Sequence, residues 1–296
     1  MLNYRIYYLI LFLFITSCSE GLNINNNSNT SEGYLNQSLD FKGTENSLDI
    51  VTWNIENYPK NNSLTNNYLL EIIDSLNVDI FALQEIESTN EFNALASSLG
   101  DNWTAFRSEN SQYGELSYLI NTNEIFITEN PYTILNNDSY YFAYREPYIV
   151  EFEFNNKEYI LINIHFKCCN GSEDRRRESS ILLKEYIDNY FSESNVIIVG
   201  DFNDEIIDTE NVFEIFLDDN ENYEFTDMPI AQSPSEYWSY PSFPSHIDHI
   251  VITNELFNNH ISTSTILIEN ALPNLSDYNN YISDHRPVGI KLSLEP

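Results

Sequence analysis

Basic residues are scarce. The 296-residue chain has 13 Lys and Arg against 46 Asp and Glu, a formal net charge of −33 at pH 7. A protein that grips a polyanion mainly through basic side chains needs a Lys/Arg patch, and this composition builds no large one. Any phosphate chemistry therefore draws its positive charge from metal ions and a few placed arginines. Long apolar runs are missing too: the N-terminal one, Ile6 to Ile15, is too short to span a bilayer. No internal repeat, long low-complexity tract or second linker interrupts the rest. The bulk composition, 42% hydrophobic and 14% aromatic, allows a core of normal size.

The short apolar run has the form of a signal-peptide h-region, with Arg5 before it and Thr16, Ser17 and Cys18 after it. Ile15-Thr16-Ser17-Cys18 resembles the lipobox of bacterial lipoproteins. That resemblance implies removal of residues 1–17, acylation of Cys18 and attachment by lipid instead of a spanning helix. Ser19 after the cysteine implies transfer to the outer membrane of a bacterial envelope. Residues 18–46, rich in Asn, Ser, Gly and Thr, are expected to form a flexible tether. Residues 47–296 are expected to form one domain.

Within that domain strands and helices alternate. Strands are expected at Leu48–Asn54, Val78–Glu85, Leu116–Asn121, Ile125–Thr128, Tyr140–Tyr144, Tyr148–Phe154, Glu158–His165, Ile247–Thr253, Thr263–Ile268 and Arg286–Leu294. Helices are expected at Asn66–Leu76, Glu91–Leu99 and Asp174–Phe191. Val196 to Val199 reads as a strand buried on both faces, followed by a sharp turn at Gly200. The mixture argues for an α/β domain with helix-covered sheets.

Polar residues recur at the strand ends. Asn54, Glu85, His165 and Asp201-Phe202-Asn203 close four apolar runs, Asp248 lies within a fifth, and Asp284-His285 leads into a sixth. Alone, Asn54 or Asp201 is a turn residue, Glu85 a solvated strand end and His165 a satisfied histidine. Six such places together point to one convergent site.

These blocks resemble the endonuclease/exonuclease/phosphatase superfamily, which shares the deoxyribonuclease I fold. Trp53-Asn54, Leu83-Gln84-Glu85, Arg145-Glu146-Pro147, Asn163-Ile164-His165, Gly200-Asp201-Phe202-Asn203, Ile247-Asp248-His249-Ile250 and Ser283-Asp284-His285-Arg286-Pro287 occur in the family's order. The resemblance implies a four-layer α/β/β/α sandwich of two packed mixed sheets. It implies a divalent ion, Mg²⁺ first and Mn²⁺ or Ca²⁺ as alternatives, held by Glu85 with Asn54 and Asp284 nearby. It pairs His285 with Asp248, sets Asp201 and Asn203 to orient water and phosphoryl group, and makes His165 a second, phosphate-facing histidine. The general base stays open between Asp201 and the His285–Asp248 pair. Arg145 matches a substrate-phosphate contact, Glu115 is the candidate partner of His165, and Arg176 turns inward one helix face below Leu183.

The expected activity is hydrolysis of phosphodiesters, with nucleic acid the first substrate and a lipid-anchored nuclease the leading reading. The alternative is a phospholipid, sphingomyelin-like lipid or inositol phosphate. An inactive ligand-binding lipoprotein is opposed by the full set of catalytic groups. Cys168 and Cys169 stand outside these blocks. Adjacent cysteines in an exported protein form a strained disulfide or stay reduced. With His165, His246 and His249 they also invite a zinc reading, against which the family blocks already account for those histidine segments.

Overall fold

Apolar runs of the predicted period fold into two six-stranded sheets in the computed structural model, which describes residues 33–109 and 115–294. Elements are numbered in chain order. The first sheet runs β11 (His260–Thr265), β12 (Val288–Ser293), β1 (Ser47–Tyr58), β2 (Ile80–Ile86), β4 (Ser117–Asn121) and β3 (Trp103–Arg107). The second runs β5 (Phe126–Thr133), β6 (Tyr148–Phe154), β7 (Lys157–His165), β8 (Val196–Asp201), β10 (Asp248–Thr253) and β9 (Tyr223–Phe225). Each sheet is mixed: β1–β2 and β7–β8 are parallel, and their other pairings are antiparallel.

Alternation along each strand decides which layer a side chain enters. Leu48 and Ile50 of β1 meet Leu161, Val199 and Ile250 between the sheets, whereas Val51, Trp53 and Ile55 face outward. That outer face is covered by α1 (Asn62–Leu76), α2 (Thr89–Leu99) and α6 (Leu275–Tyr281), which bury Leu69, Ile72, Phe92 and Tyr278 against it. Ser88 caps α2, its hydroxyl accepting from the Glu91 N–H. On the second sheet Ile160, Ile162 and Ile164 pack outward against Leu183 and Ile187 of α3 (Glu173–Tyr190). The short helices α4 (Glu214–Leu217) and α5 (Met228–Ala231) complete that layer. The result is the expected α/β/β/α sandwich.

Two local expectations are corrected. Tyr140–Tyr144 is a turn, not a strand: Tyr141 N–H bonds back to Asp138, and Ala143 and Tyr144 have φ of 55° and 62°. Five consecutive aromatic and small residues carry β-propensity but no alternation, and Phe142 alone is fully buried, against Phe166. Gly200 does not turn the chain but lies inside β8. A Cβ there would sit 2.0 Å from the Ile164 carbonyl oxygen, so the glycine permits close approach of β7 to β8. Strands β3 and β9 were not expected.

The described part of the expected tether, residues 33–46, packs on the domain. Tyr34 and Leu35 N–H groups donate to Glu71, Asn36 N–H donates to Ala271, and Phe41 is buried in the α1 layer. The apolar Leu35, Leu39 and Phe41 supply the burial that a polar tether lacks. Arg5, Cys18 and residues 18–32 lie outside the described residues. No helix among the described residues is long and apolar enough to cross a membrane.

Candidate active site

Strand register assembles the second sheet's contribution. His165 of β7 is paired with Asp201 of β8, and Asp201 with Asp248 of β10, so three functional groups form one row across adjacent strands. From the first sheet come Asn54 in the second half of β1, where its register with β2 shifts, and Glu85 near the end of β2, with the turn Ser283-Asp284-His285 ahead of β12. Ser283 Oγ donates to the Asn54 carbonyl at 2.6 Å and accepts from the His285 N–H. Trp53 Nε1 and the Tyr278 hydroxyl both donate to the His285 carbonyl. This stitching fixes His285 opposite the row.

Asn54 bridges the two halves. Its Nδ2 donates to Glu85 Oε1 and to Asp201 Oδ2, each at 3.1 Å, and its Oδ1 accepts from Glu56 N–H. The amide oxygen has a second lone pair left for a cation. Glu85 Oε2 accepts from Asn57 N–H at 3.0 Å. Glu85 and Asn203 adopt φ of 63° and 57°, a conformation that costs a non-glycine residue about 1 kcal/mol or more and clusters at functional sites. Asn203 N–H donates to Asp201 Oδ1 at 2.9 Å.

The two histidines differ in electrostatic setting. His285 Nδ1 lies 2.8 Å from Asp248 Oδ2, and its Nε2 faces Asp201 Oδ2 at 3.9 Å. Burial alone would lower its pKa, but the carboxylates of Asp248 and Asp201 outweigh burial and push it up to about 10. His165 Nε2 lies 3.3 Å from the same Asp201 oxygen, and its Nδ1 has no hydrogen-bond partner among the described residues. Burial, then the positive charges of Arg145 and His285, hold it well below the ordinary value, so it is neutral. Asp201, fully buried, is raised by burial to about 7, His285 opposing and Asp248 and Glu85 adding to the rise. Environments that push neighbouring pKa values apart mark acid–base assignments.

The donor set fits a divalent cation. Burial raises Asp284; His285 opposes this, and the charges of Glu56 and Glu85 raise it further. A bound cation relieves that crowding, and clustered carboxylate and amide oxygens are the ligands Mg²⁺ prefers. Asp201, Asp248 and His285 also place one ligand atom each within 4.8 Å of one another.

These groups face a cleft of 770 Å³, whose lining includes Glu85, Arg145, His165, Asp201, Asn203, Asp284 and His285. Asn54 and Asp248 lie buried behind it. Arg145 reaches the cleft with Nε donating to the His165 carbonyl and Nη2 to that of Phe166. Arg176 turns inward as expected, but its guanidinium is committed to Asp204 at 2.7 Å, Glu173 at 3.5 Å and the carbonyls of Lys167 and Cys169. It braces the cleft wall. Glu115 does not reach His165: it faces Arg107 at 3.6 Å on the first sheet and is not part of the cleft lining. The lining also includes Asp204, Tyr240 and Phe243. Tyr240 packs on the His285 ring at 4.7 Å, and Phe243 is 77% exposed at the rim.

The zinc reading is not assembled as expected: among the described residues no candidate metal group joins Cys168 or Cys169 to His165, His246 or His249. His246 and His249 instead group with Asp227, which they share at 2.9 and 2.6 Å. Every ring nitrogen of the two is engaged: His246 Nδ1 accepts from Ser239 N–H, and His249 Nε2 donates to the Asp204 carbonyl. His249 therefore faces an acceptor on each ring nitrogen. Burial lowers its pKa, but Asp227 outweighs burial and raises it. Asp227 had no motif around it in the sequence. The nearest signal was the buried pattern of the strand it braces, since its Oδ1 accepts from Ile250 N–H.

Comparison with known proteins agrees with this geometry. The family model described as Endonuclease/Exonuclease/phosphatase family matches residues 51–285. No protein with a curated description matches the chain. Solved structures that share the fold include the following three. Zebrafish (D. rerio) TDP2 complexed with a single-strand DNA product has TM-score 0.65 and 14% identity, covering 83% of this chain and 98% of that one. The human Nocturnin catalytic domain with bound sulfate has TM-score 0.64 and 18% identity, covering 86% and 97%. The Bacteroides thetaiotaomicron mannosyl-6-phosphatase has TM-score 0.62 and 15% identity, covering 84% and 100%.

Proposed function

The chain belongs to the endonuclease/exonuclease/phosphatase family and is a phosphoesterase, and we propose that it is a divalent-metal-dependent phosphodiesterase with nucleic acid as its first substrate. The observation that carries this reading is the single cleft onto which both sheets bring Glu85, Asp284, His165, Asp201 and His285. A phosphodiester resists attack because its oxygens are negative, so hydrolysis needs a cation on them, an aligned water and help for the leaving alkoxide. Glu85, Asp284 and the Asn54 oxygen would hold Mg²⁺, or Mn²⁺ or Ca²⁺. When bound, the ion offsets phosphoryl charge. Asp201 and Asn203 orient the attacking water, Asp201 accepting its proton. His285, held charged by Asp248, and neutral His165 hydrogen-bond the phosphoryl oxygens. Arg145 adds positive charge along the wall.

The zebrafish neighbour's bound DNA product supports nucleic acid as the first choice. A smaller phosphoester is the second reading. It is favoured by the shortage of free basic residues at the cleft and by the sugar-phosphatase neighbour. We also propose that residues 1–17 are a signal peptide and that acylated Cys18 anchors the protein in the bacterial envelope. Incorporation of labelled palmitate, lost in Cys18→Ala, is the expected result, and equal labelling of both would reject the anchor.

The activity is tested on protein lacking residues 1–18, with Mg²⁺, Mn²⁺ or Ca²⁺ and with EDTA. Substrates are plasmid DNA, RNA, bis-p-nitrophenyl phosphate and sphingomyelin, beside Glu85→Ala and His285→Ala. Metal-dependent nicking lost in both variants is expected. Activity on the dye or lipid alone would move the substrate to the second reading, and none on any substrate would reject the enzyme reading.

A further inference from the structure

The reading above gives no role to Cys168 and Cys169, although Cys168 lines the same cleft as Arg145, His165 and Asn203. Cys169 is exposed and Cys168 half-buried, so both sulfurs are within reach of a small reagent. The Cys169 thiol donates to Cys168 Sγ at 2.7 Å, and Lys167 Nζ lies 3.3 Å from that same sulfur. One sulfur thus receives two donors. Burial alone would raise Cys168, but the Cys169 hydrogen bond and then Lys167 overcome it and hold it below the ordinary thiol value. Cys169 is held above that value by the bond it donates to Cys168 and by burial. A thiolate nucleophile beside a protonated second thiol is the arrangement that thiol–disulfide exchange requires.

The segment carrying the pair also orients the cleft. The Phe166 carbonyl accepts from Arg145 Nη2 and Asn203 Nδ2, and the Lys167 and Cys169 carbonyls accept from Arg176 Nη1. Cys169 itself holds φ of 78°. Joining the two sulfurs closes a ring across adjacent Cα atoms, which lie closer than disulfides prefer, so the segment's backbone must adjust. Its carbonyls move with it.

We propose that Cys168 and Cys169 are a reversible thiol-modification site in the cleft wall, oxidised by a small-molecule disulfide. In the first step the Cys168 thiolate attacks one sulfur of the reagent, forming a mixed disulfide and expelling one thiolate, which takes a proton from solvent. Cys169 then loses its proton to solvent and attacks Cys168 Sγ, forming the Sγ–Sγ bond and expelling the second thiolate. The protein pair loses two electrons, and the reagent disulfide becomes two thiols. Cys168 is the attacking residue and Cys169 the resolving one.

The test treats the full chain with excess glutathione disulfide at neutral pH and reads peptide masses, with Cys18 counted separately. The peptide carrying the pair is expected to lose two hydrogens and to regain them with dithiothreitol. Cys169→Ser is expected to trap one glutathione on Cys168, and Cys168→Ser to react about tenfold more slowly at Cys169. A pair that stays reduced while free dithiothreitol is oxidised in the same tube overturns the proposal, as does equal reactivity of the two single variants. Because the readout is mass, failure of the phosphodiesterase reading leaves this result standing. Where hydrolysis is measurable, oxidation is expected to slow it about threefold or more by displacing Arg145 and Asn203, with no effect on the Cys168→Ser/Cys169→Ser double variant. An unchanged rate in fully oxidised protein would overturn the coupling to the cleft.

Discussion

Gln84 Nε2 on the first sheet lies 2.7 Å from Asn163 Oδ1 on the second, a fully buried hydrogen bond across the sandwich. Asn163 Nδ2 then donates to the carbonyls of Leu83 and Ser117 on the opposite sheet. Gln84 directly precedes Glu85, and Asn163 is two residues before His165, so this strut aligns the two halves of the cleft.

Replacing Asn163 with Leu keeps the branched outline but adds bulk and removes the bonds to Gln84 and to the Leu83 and Ser117 carbonyls. A loss of about 3 kcal/mol is expected from unsatisfied buried polar groups. Urea denaturation would measure it, and hydrolysis should fall even under conditions where the variant remains folded.

The His285–Asp248 pair predicts a catalytic loss without a folding loss. His285→Asn and Asp248→Asn are expected to lower kcat by about 100-fold or more. The double variant should fall little further than either single one, because the two act as a unit. Steady-state rates beside circular dichroism would separate the two effects, and additive losses would contradict the pairing.

Glu85→Gln removes the charge that Asn54 and the Asn57 N–H orient. Mg²⁺ affinity is expected to drop about 10- to 100-fold. Calorimetric titration of Mg²⁺ into wild type and variant checks this without reference to any substrate.

Gly200→Ala would drive a methyl group to within 2.0 Å of the Ile164 backbone oxygen. Neither strand can yield, since both are buried and lead directly to His165 and Asp201. Destabilisation of about 3 kcal/mol or more is expected, and thermal melting should report it.

Asp79 sits far from the cleft and is buried, with its Oδ2 accepting from the Asp49 N–H. Burial raises its pKa to about 7; the Asp49 N–H opposes this, and the Asp49 and Glu124 charges add to the rise. The unfolded carboxyl ionises near 3.8, so the folded state loses stability as pH climbs from 4 towards 7. Asp79→Asn keeps an acceptor and removes the titration. It is expected to stabilise the protein by about 2 kcal/mol at pH 8 and by less at pH 5, as urea midpoints at the two pH values would show.

Much of the site was legible in the sequence because strand ends are local features. His165, Asp201 and Asp248 each close or open an apolar run, and register alone then sets them side by side. Partners across the chain were not legible. Asp227 reaches His249 from an irregular stretch, and Glu115 turned to Arg107 instead of His165 because no local signal fixes which strand face a lone carboxylate meets. The described part of the tether, residues 33–46, departs from its expectation for a related reason. Leu35, Leu39 and Phe41 are too widely spaced to form a periodic run, yet a surface built by α1 and β12 receives them. Tyr140–Tyr144 had the right residue types for a strand and lacked the alternation that a sheet requires.

The way Arg145 and Arg176 are used has a kinetic consequence. Both guanidinium groups hold main-chain carbonyls at the cleft wall, and the molecule around them carries a formal charge of −33. An anionic substrate therefore approaches through a repulsive field, with little long-range attraction to guide it. Salt shortens that field to about 8 Å at physiological ionic strength. Encounter should accordingly quicken as salt is added, so that kcat/KM on a charged polymer rises with ionic strength at fixed free Mg²⁺. Enzymes steered to DNA by basic patches show the opposite slope, and a chain whose habitat is saline would work at its fastest there.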